Sequence, residues 1–319
     1  MHHRNPEQVK KILSWYPAMT EAQKASFVRL IDYGRIGGTG KFVILPVDQG
    51  FEHGPGRSFE PNPVMYDSVN HAQLAIDAGC NAYAAPIGCL EKAKDITDKA
   101  GIPTILKVNN HDMLMPDGSD PFPAITSWAE DAVRLKCAAV GFTLYPGSAH
   151  SREIYEQARA LVKDARSLGL VVVMWSYARG SGLLPADEQL KPKDIETAVD
   201  VICYAVHIAA LLGAHIIKAK PPKALIGLKD SVKNGAYKNA PIETLSDRIR
   251  LMVQAAFNGE RVVINSGGEA KGIEEVLAEI TELARGGSFG SIVGRNSFQR
   301  PHKEAVELLH SIQDIYVAG

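Results

Sequence analysis

Eight short apolar runs, each followed by a helical stretch, fill residues 42–316, and this alternation leaves the chain very few folds. The runs fall at 42–48, 81–86, 103–109, 138–145, 170–177, 214–220, 262–265 and 291–294. Helices are predicted after them at 64–78, 91–99, 124–135, 151–167, 192–212, 242–258, 272–285 and 301–316. Runs rich in Val, Ile and Leu without polar alternation belong to strands buried on both faces, the mark of a parallel sheet covered by helices. Eight such units within about 280 residues predict an α/β chain of the (β/α)8 TIM barrel class. An open doubly wound sheet would carry a G-x-G-x-x-G turn after its first strand, and Gly50-Phe51-Glu52-His53-Gly54 does not match it. Residues 6–35 precede the repeat and read as two helices, broken off at Gly37-Gly38-Thr39-Gly40. The expected division is a helical extension over 1–40 and a barrel domain over 41–319.

The sixth run, Ala214-His215-Ile216-Ile217-Lys218-Ala219-Lys220, carries two lysines and stops at Pro221-Pro222. Side chains alternate along a strand, so Ile216, Lys218 and Lys220 share one face, and Ile217 and Ala219 the other. A lysine on an apolar strand is either paired with an acid or chemically active. The chemistry it suits is attack on a carbonyl, which needs a neutral amine. Free lysine offers well under one per cent neutral amine at pH 7. Burial and a nearby second cation, here Lys220, both favour the neutral form. Lys218 lies deeper than Lys220 and is the better candidate for the reacting amine.

A barrel gathers its active site where the strands end. Those ends offer Asp48, Lys107 and Asn109, Tyr145, Trp175 and Tyr177, Lys218 and Lys220, Ser266, and Arg295. Each has a plainer reading: Asp48 as a cap, Tyr177 as a rim aromatic, Trp175 as packing. The last two loops are more specific. Ser266-Gly267-Gly268 and Gly294-Arg295 match the phosphate site that barrels build after strands seven and eight, although glycines also serve tight turns. Arg295 adds a charge-assisted contact. His53, His111 and His150 fall on three loops without metal-ligand spacing, so no metal site is expected.

Composition removes other classes. A formal charge of -1 gives no electrostatic footprint for nucleic acid or an anionic membrane. No apolar run reaches the roughly 18 residues of a membrane helix, and no signal-peptide pattern opens the chain. Four scattered cysteines without a C-x-x-C pair suit a reducing compartment, so a cytoplasmic protein is expected.

Several segments together resemble the class I (Schiff-base) fructose-bisphosphate aldolases of the archaeal and bacterial type, most nearly the longer bacterial members. They are Ile44-Leu45-Pro46-Val47-Asp48-Gln49-Gly50 with Glu52-His53, Ala75-Ile76-Asp77-Ala78-Gly79-Cys80-Asn81, Trp175-Ser176-Tyr177-Ala178-Arg179, Ile216-Ile217-Lys218-Ala219-Lys220, Ile264-Asn265-Ser266-Gly267-Gly268 and Gly294-Arg295. The likeness runs from about residue 41 to the C-terminus. It implies that Lys218 forms the imine, that Tyr177 transfers protons with Trp175 beside it, and that Asp48 completes the catalytic set. Ser266, Gly267, Gly268, Gly294 and Arg295, with His53, Lys107 and Lys220, would meet a sugar phosphate. The covalent lysine would make the enzyme independent of metal and cofactor. The chain departs from many members at Gln49, where they carry histidine, and at Pro221-Pro222. The family also implies a large homo-oligomer, a decamer, and Trp15, Tyr16, Phe27 and Leu30 on the extension offer apolar surface for contact. Three rivals share the fold: a Schiff-base aldolase, synthase or thiolase acting on another phosphorylated sugar or ketone; a metal-dependent aldolase; and a non-catalytic barrel that binds a phosphometabolite.

Overall fold

The eight apolar runs close on themselves. The computed structural model describes residues 4–114, 118–267 and 271–318. Its strands are β1 (Phe42–Pro46), β2 (Ala82–Ala85), β3 (Thr104–Lys107), β4 (Ala139–Leu144), β5 (Val171–Ser176), β6 (Ile216–Ala219), β7 (Val262–Ser266) and β8 (Gly290–Ile292). Each pairs in parallel with the next, and β8 returns to β1 to close the barrel. Parity divides the core as the sequence predicts. Val171, Val173, Trp175, Ile216 and Ile264 fill the interior, whereas Val172, Met174, Ile217, Ala219 and Val263 pack outward against the helices. Helix Ser151–Ser167 coincides with its predicted range and buries Ile154, Ala158, Leu161 and Ala165, one stripe of a 3.6-residue period.

The extension plugs the foot of the barrel. Helix α1 (Pro6–Ser14) and helix α2 (Glu21–Asp32), the latter opened by a Thr20–Gln23 capping box, share one apolar cluster with the inward residues of the strands. Tyr16 donates its hydroxyl to the carbonyl of His215 at 2.6 Å and accepts from the amide of Val262 at 3.0 Å. Ile12, Phe27, Leu30 and Ile31 are fully buried there, each worth about 1.5–3 kcal/mol. Tyr16, Phe27 and Leu30 are therefore spent on the chain's own barrel and leave no face for a partner, and Trp15 packs edge-on against Phe289.

Several predicted boundaries shift at the upper end, where loops carry function. β1 stops at Pro46, and a short helix, Gln49–His53, follows Asp48. The helix expected over 124–135 begins only at Ala129, because Ala124–Ile125 pairs antiparallel with Asn109–Asn110 in a small ribbon. The helix expected over 192–212 is two, Pro192–Ile195 and Val199–Leu212. Between them the chain turns to bond the loop after β6: Lys223 donates to Thr197 and Val199 to Leu225. Asp200 locks the same contact by accepting from the amides of Gly227 and Leu228 at 2.8 and 3.0 Å. The loops after β5 and β6 thus fold as one unit with its own small core around Ala178, Ile195, Ala198, Leu225 and Leu228. On the other side, Asp120 accepts from Ser181 and Ala149, tying the loops after β3, β4 and β5 together.

Candidate active site

Lys218 sits on the inward face of β6, in register with Trp175 of β5 and Ile264 of β7. Its amine is 5.2 Å from the Trp175 ring centroid and 5.7 Å from that of Tyr177, and the residue is only 4% exposed. Burial pulls the amine down to about 8 against the attraction of Asp48 and Glu52, and Arg295 adds to the lowering. A lysine at about 8 has roughly a tenth of its amine neutral at pH 7.

The Trp175 ring reaches over Gly141 of β4, two residues before Thr143, its partner in register. A Cβ at Gly141 would come within 2.4 Å of the indole, so only glycine leaves room. A second buried amine, that of Lys107 on β3, lies 5.6 Å from the centroid of the same indole. Lys107 donates to the backbone carbonyl of Asn109 and to its Oδ1 at 3.0 Å. Asn109 is itself held on β4, accepting from the Thr143 amide at 2.7 Å and donating to the Thr143 carbonyl at 2.9 Å. Burial again pulls Lys107 to about 8, with Asp48 opposing and the like charge of Lys218 assisting.

Tyr177 follows β5 and faces the mouth. Desolvation, then the negative charges of Asp48 and Glu52 and the neighbouring Tyr145, raise its hydroxyl well above 10, and a hydrogen bond with Ser266 partly opposes this. The phenol is therefore fully protonated in the resting site. Asp48 precedes the helix Gln49–His53 but makes no side-chain capping bond to it. Its carboxylate acts instead on Lys218, Lys107 and Tyr177. The capping role thus falls away.

Lys220 occupies a different setting from the one its spacing suggests. Its amine lies 3.6 Å from Glu196 and 5.7 Å from the Tyr177 ring centroid. Among the charges bearing on Lys218, the like charge is Arg295 rather than Lys220. Lys220 ends a chain of charged and polar contacts around the mouth. Glu52 meets His53 at 3.9 Å and Arg179 at 3.5 Å, Arg179 meets Glu196 at 3.8 Å, and Glu196 meets Lys220. Burial works against the Glu52 carboxylate, yet His53 and Arg179 hold it below its ordinary range. His53 is pushed down by burial despite Glu52, and its Nδ1 lies 3.3 Å from the sulfur of Met113.

The loops after β7 and β8 meet through Asn296. Asn296 donates to the carbonyl of Gly267 at 2.7 Å and accepts from the amide of Lys271 at 2.8 Å, clamping the loop after β7 to the segment after β8. Arg300 donates to the carbonyl of Asn296 at 2.7 Å and so holds the clamp. Gly294 precedes the short helix Arg295–Phe298, and a Cβ at Gly294 would come within 2.6 Å of Gln49. Gly268 lies outside the described residues. Arg295 is near enough to act on both Lys218 and His53.

The structure thus brings Asp48, Lys107, Trp175, Tyr177, Lys218, Ser266 and Arg295 into one pocket, with His53 and Lys220 at its rim. Sequence reasoning passed over Glu196 and Asn296, and it gave Glu52 and Arg179 no role of their own. Glu52 and Arg179 lie within a few residues of Asp48 and Tyr177, which was the available signal. Glu196 gave none, because its place depends on how two loops fold together.

A family profile described as "DeoC/LacD family aldolase" matches residues 42–300. A relative from Chlamydia muridarum named "Probable fructose-bisphosphate aldolase class 1" is 38% identical over 305 residues, covering 92% of this chain and 84% of the relative. The "Fructose-bisphosphate aldolase class 1" of Thermoproteus tenax is 31% identical over 281 residues, 88% of this chain and 91% of that one. An archaeal fructose-1,6-bisphosphate aldolase, solved with its catalytic lysine bound to the carbinolamine of the substrate, superposes with a TM-score of 0.73 at 28% identity, covering 92% of this chain and 99% of that chain. A buried, partly neutral lysine in the mouth of a closed (β/α)8 barrel is what such chemistry requires, and the chain belongs to the DeoC/LacD family of aldolases.

Proposed function

We propose that the enzyme is a class I aldolase that cleaves fructose 1,6-bisphosphate to dihydroxyacetone phosphate and glyceraldehyde 3-phosphate, a step of glycolysis and gluconeogenesis. The observation that carries this reading is the Lys218 amine, buried and lowered to about 8 beside Tyr177. Neutral Lys218 adds to the C2 carbonyl, and loss of water from the carbinolamine gives a protonated imine. The C4 hydroxyl gives its proton to the Tyr177 oxygen as the phenol passes its own to the Asp48 carboxylate, the C3–C4 bond breaks, and its electrons pass to the imine to form an enamine. Glyceraldehyde 3-phosphate leaves. Protonation of the enamine at C3 and hydrolysis then release dihydroxyacetone phosphate and restore the amine. Asp48 faces both the amine and the phenol and serves to orient substrate hydroxyls and assist dehydration. The indole Nε1 of Trp175 is buried and, among the described residues, without a hydrogen-bond partner, so it offers a further donor to the sugar.

The names of the relatives support this substrate over another phosphorylated ketone. The test is product analysis with a chelator present. Dihydroxyacetone phosphate should form from fructose 1,6-bisphosphate at an undiminished rate, because this chemistry needs no metal. No cleavage, or cleavage abolished by the chelator, would contradict the reading.

The loops after β7 and β8 are assigned to a substrate phosphate, with Arg295 supplying the charge. Arg295→Ala should raise KM for the bisphosphate about 10- to 150-fold, the equivalent of about 1.5–3 kcal/mol for a charge-assisted contact. Steady-state kinetics and inhibition by inorganic phosphate check this, and unchanged values would place the arginine elsewhere.

A cytoplasmic homo-oligomer completes the proposal, with the decamer as its expected size. Among the described residues no helix is long and apolar enough to cross a membrane, and Cys80, Cys137 and Cys203 are buried free thiols. Tyr204 and Leu211, seven residues apart on one helix face, are 60% and 63% exposed and suit a subunit contact. A monomer by light scattering at micromolar concentration would rule the assembly out.

A further inference from the structure

Buried phenols are expected to find a hydrogen-bond partner, and most in this barrel do. Tyr16 bonds His215 and Val262, Tyr316 bonds Ser291, and Tyr177 bonds Ser266. Tyr83 and Tyr145 have no such partner among the described residues. The Tyr83 hydroxyl is sealed among the outward-packing residues, beside Cys89. Tyr145 is different. It follows β4 directly, is 3% exposed, and has Glu52, Arg179, Asp48 and Glu196 as the charged groups around its hydroxyl. Its ring is packed by the Arg179 guanidinium, 5.3 Å from the centroid, and by His111, edge-on at 6.0 Å. A phenol held so firmly, with its hydroxyl left unpaired beside the catalytic carboxylate, is poised for a group that the protein does not supply.

Its place along the pocket says which part of a substrate it meets. The Lys218 amine lies over the rings of Trp175 and Tyr177. The cation over the Tyr145 ring is instead Arg179, which joins Glu52 and Glu196 at the rim. Tyr145 is nevertheless close enough to Tyr177 to act on its hydroxyl. The order outward from the barrel interior is therefore Lys218, Tyr177, Tyr145. A ketose held at C2 by Lys218 and at C4 by Tyr177 carries its next carbon toward Tyr145. We propose that the Tyr145 hydroxyl hydrogen-bonds the C5 hydroxyl of the sugar, and so selects the aldehyde half of the substrate by that hydroxyl. A phenol can donate to the sugar oxygen or accept from it. Burial, and then Glu52, raise the Tyr145 hydroxyl above its ordinary range, so it keeps its proton. The inference rests on the imine reading above, which fixes C2, and adds the group that reads the departing aldehyde.

The test runs the reaction in the condensing direction, with dihydroxyacetone phosphate and one of two aldehydes. Glyceraldehyde 3-phosphate carries the hydroxyl that becomes the C5 hydroxyl, and 3-phosphooxypropanal lacks it. Wild type should prefer the hydroxylated aldehyde in kcat/KM. Tyr145→Phe keeps the ring against Arg179 and His111 and removes only the hydroxyl. The variant should lose about tenfold in kcat/KM on glyceraldehyde 3-phosphate, the scale of one buried hydrogen bond, and change little on 3-phosphooxypropanal. A residue that merely shapes the mouth would lower both alike, so the preference ratio is the readout. A ratio unchanged in Tyr145→Phe would overturn the proposal, and so would a wild type that favours 3-phosphooxypropanal, a result that needs no variant. Borohydride trapping of dihydroxyacetone phosphate on wild-type Lys218 reports the imine reading separately, because that substrate ends at C3. A trapped adduct with an unchanged ratio overturns the Tyr145 contact alone, whereas absence of the adduct overturns the imine reading on which it rests.

Discussion

Lys218→Met is expected to abolish cleavage, lowering kcat by at least about 10⁴-fold, because no other group can form the electron-sink imine in its place. The substitution is mild for the fold. Methionine is unbranched and close in volume, and the site it fills lies between apolar neighbours, Trp175 and Ile264 in register on β5 and β7. Removing a buried amine also removes its desolvation cost, so thermal stability should hold or rise. The phosphate loops are untouched, and the variant should still bind inorganic phosphate. Loss of turnover with binding and melting temperature retained separates a chemical role from a structural one. Appreciable cleavage by the purified variant would move the chemistry to another residue.

Tyr177→Phe should slow carbon–carbon cleavage by roughly 10²–10⁴-fold while leaving imine formation largely intact. The phenol is kept protonated by desolvation and by Asp48, Glu52 and Tyr145, with the Ser266 hydrogen bond working the other way. It is thus suited to handing a proton on rather than standing as a phenolate base. Phenylalanine keeps the ring beside Lys218 and Lys220, so the packing that lowers the lysine survives. Trapping and turnover should therefore separate: borohydride adduct at near wild-type rate, product at a small fraction of it. Wild-type turnover in the variant would remove Tyr177 from the proton path.

The barrel was legible because its signal is repeated eight times and each repeat depends on local pattern. Strand parity carried through to the site: Lys218 and Trp175 point inward, and Ile217 and Ala219 outward, as alternation requires. What escaped lies in contacts between loops distant in sequence. Lys220 reads from its spacing as a companion charge to Lys218, but its setting depends on Glu196, which arrives only when the loops after β5 and β6 bond to each other. Lys107 reads as a strand-end cation, and its bond to Asn109, which turns into a two-residue ribbon, has no local signature. The extension's apolar residues read as an interface, and only the closed foot of the barrel reveals their partner. In each case the residue type was correctly noticed, and its role was set by a neighbour with no local signature.

The most direct measurement is borohydride reduction in the presence of fructose 1,6-bisphosphate, followed by peptide mass mapping. Parity admits both Lys218 and Lys220, and burial admits Lys107. Lys218 alone combines an inward-facing amine lowered to about 8, contact with Tyr177, and freedom from a protein acceptor among the described residues. A single adduct on Lys218, absent from Lys218→Met, is the predicted result. An adduct on Lys107 or Lys220, or none, would contradict it.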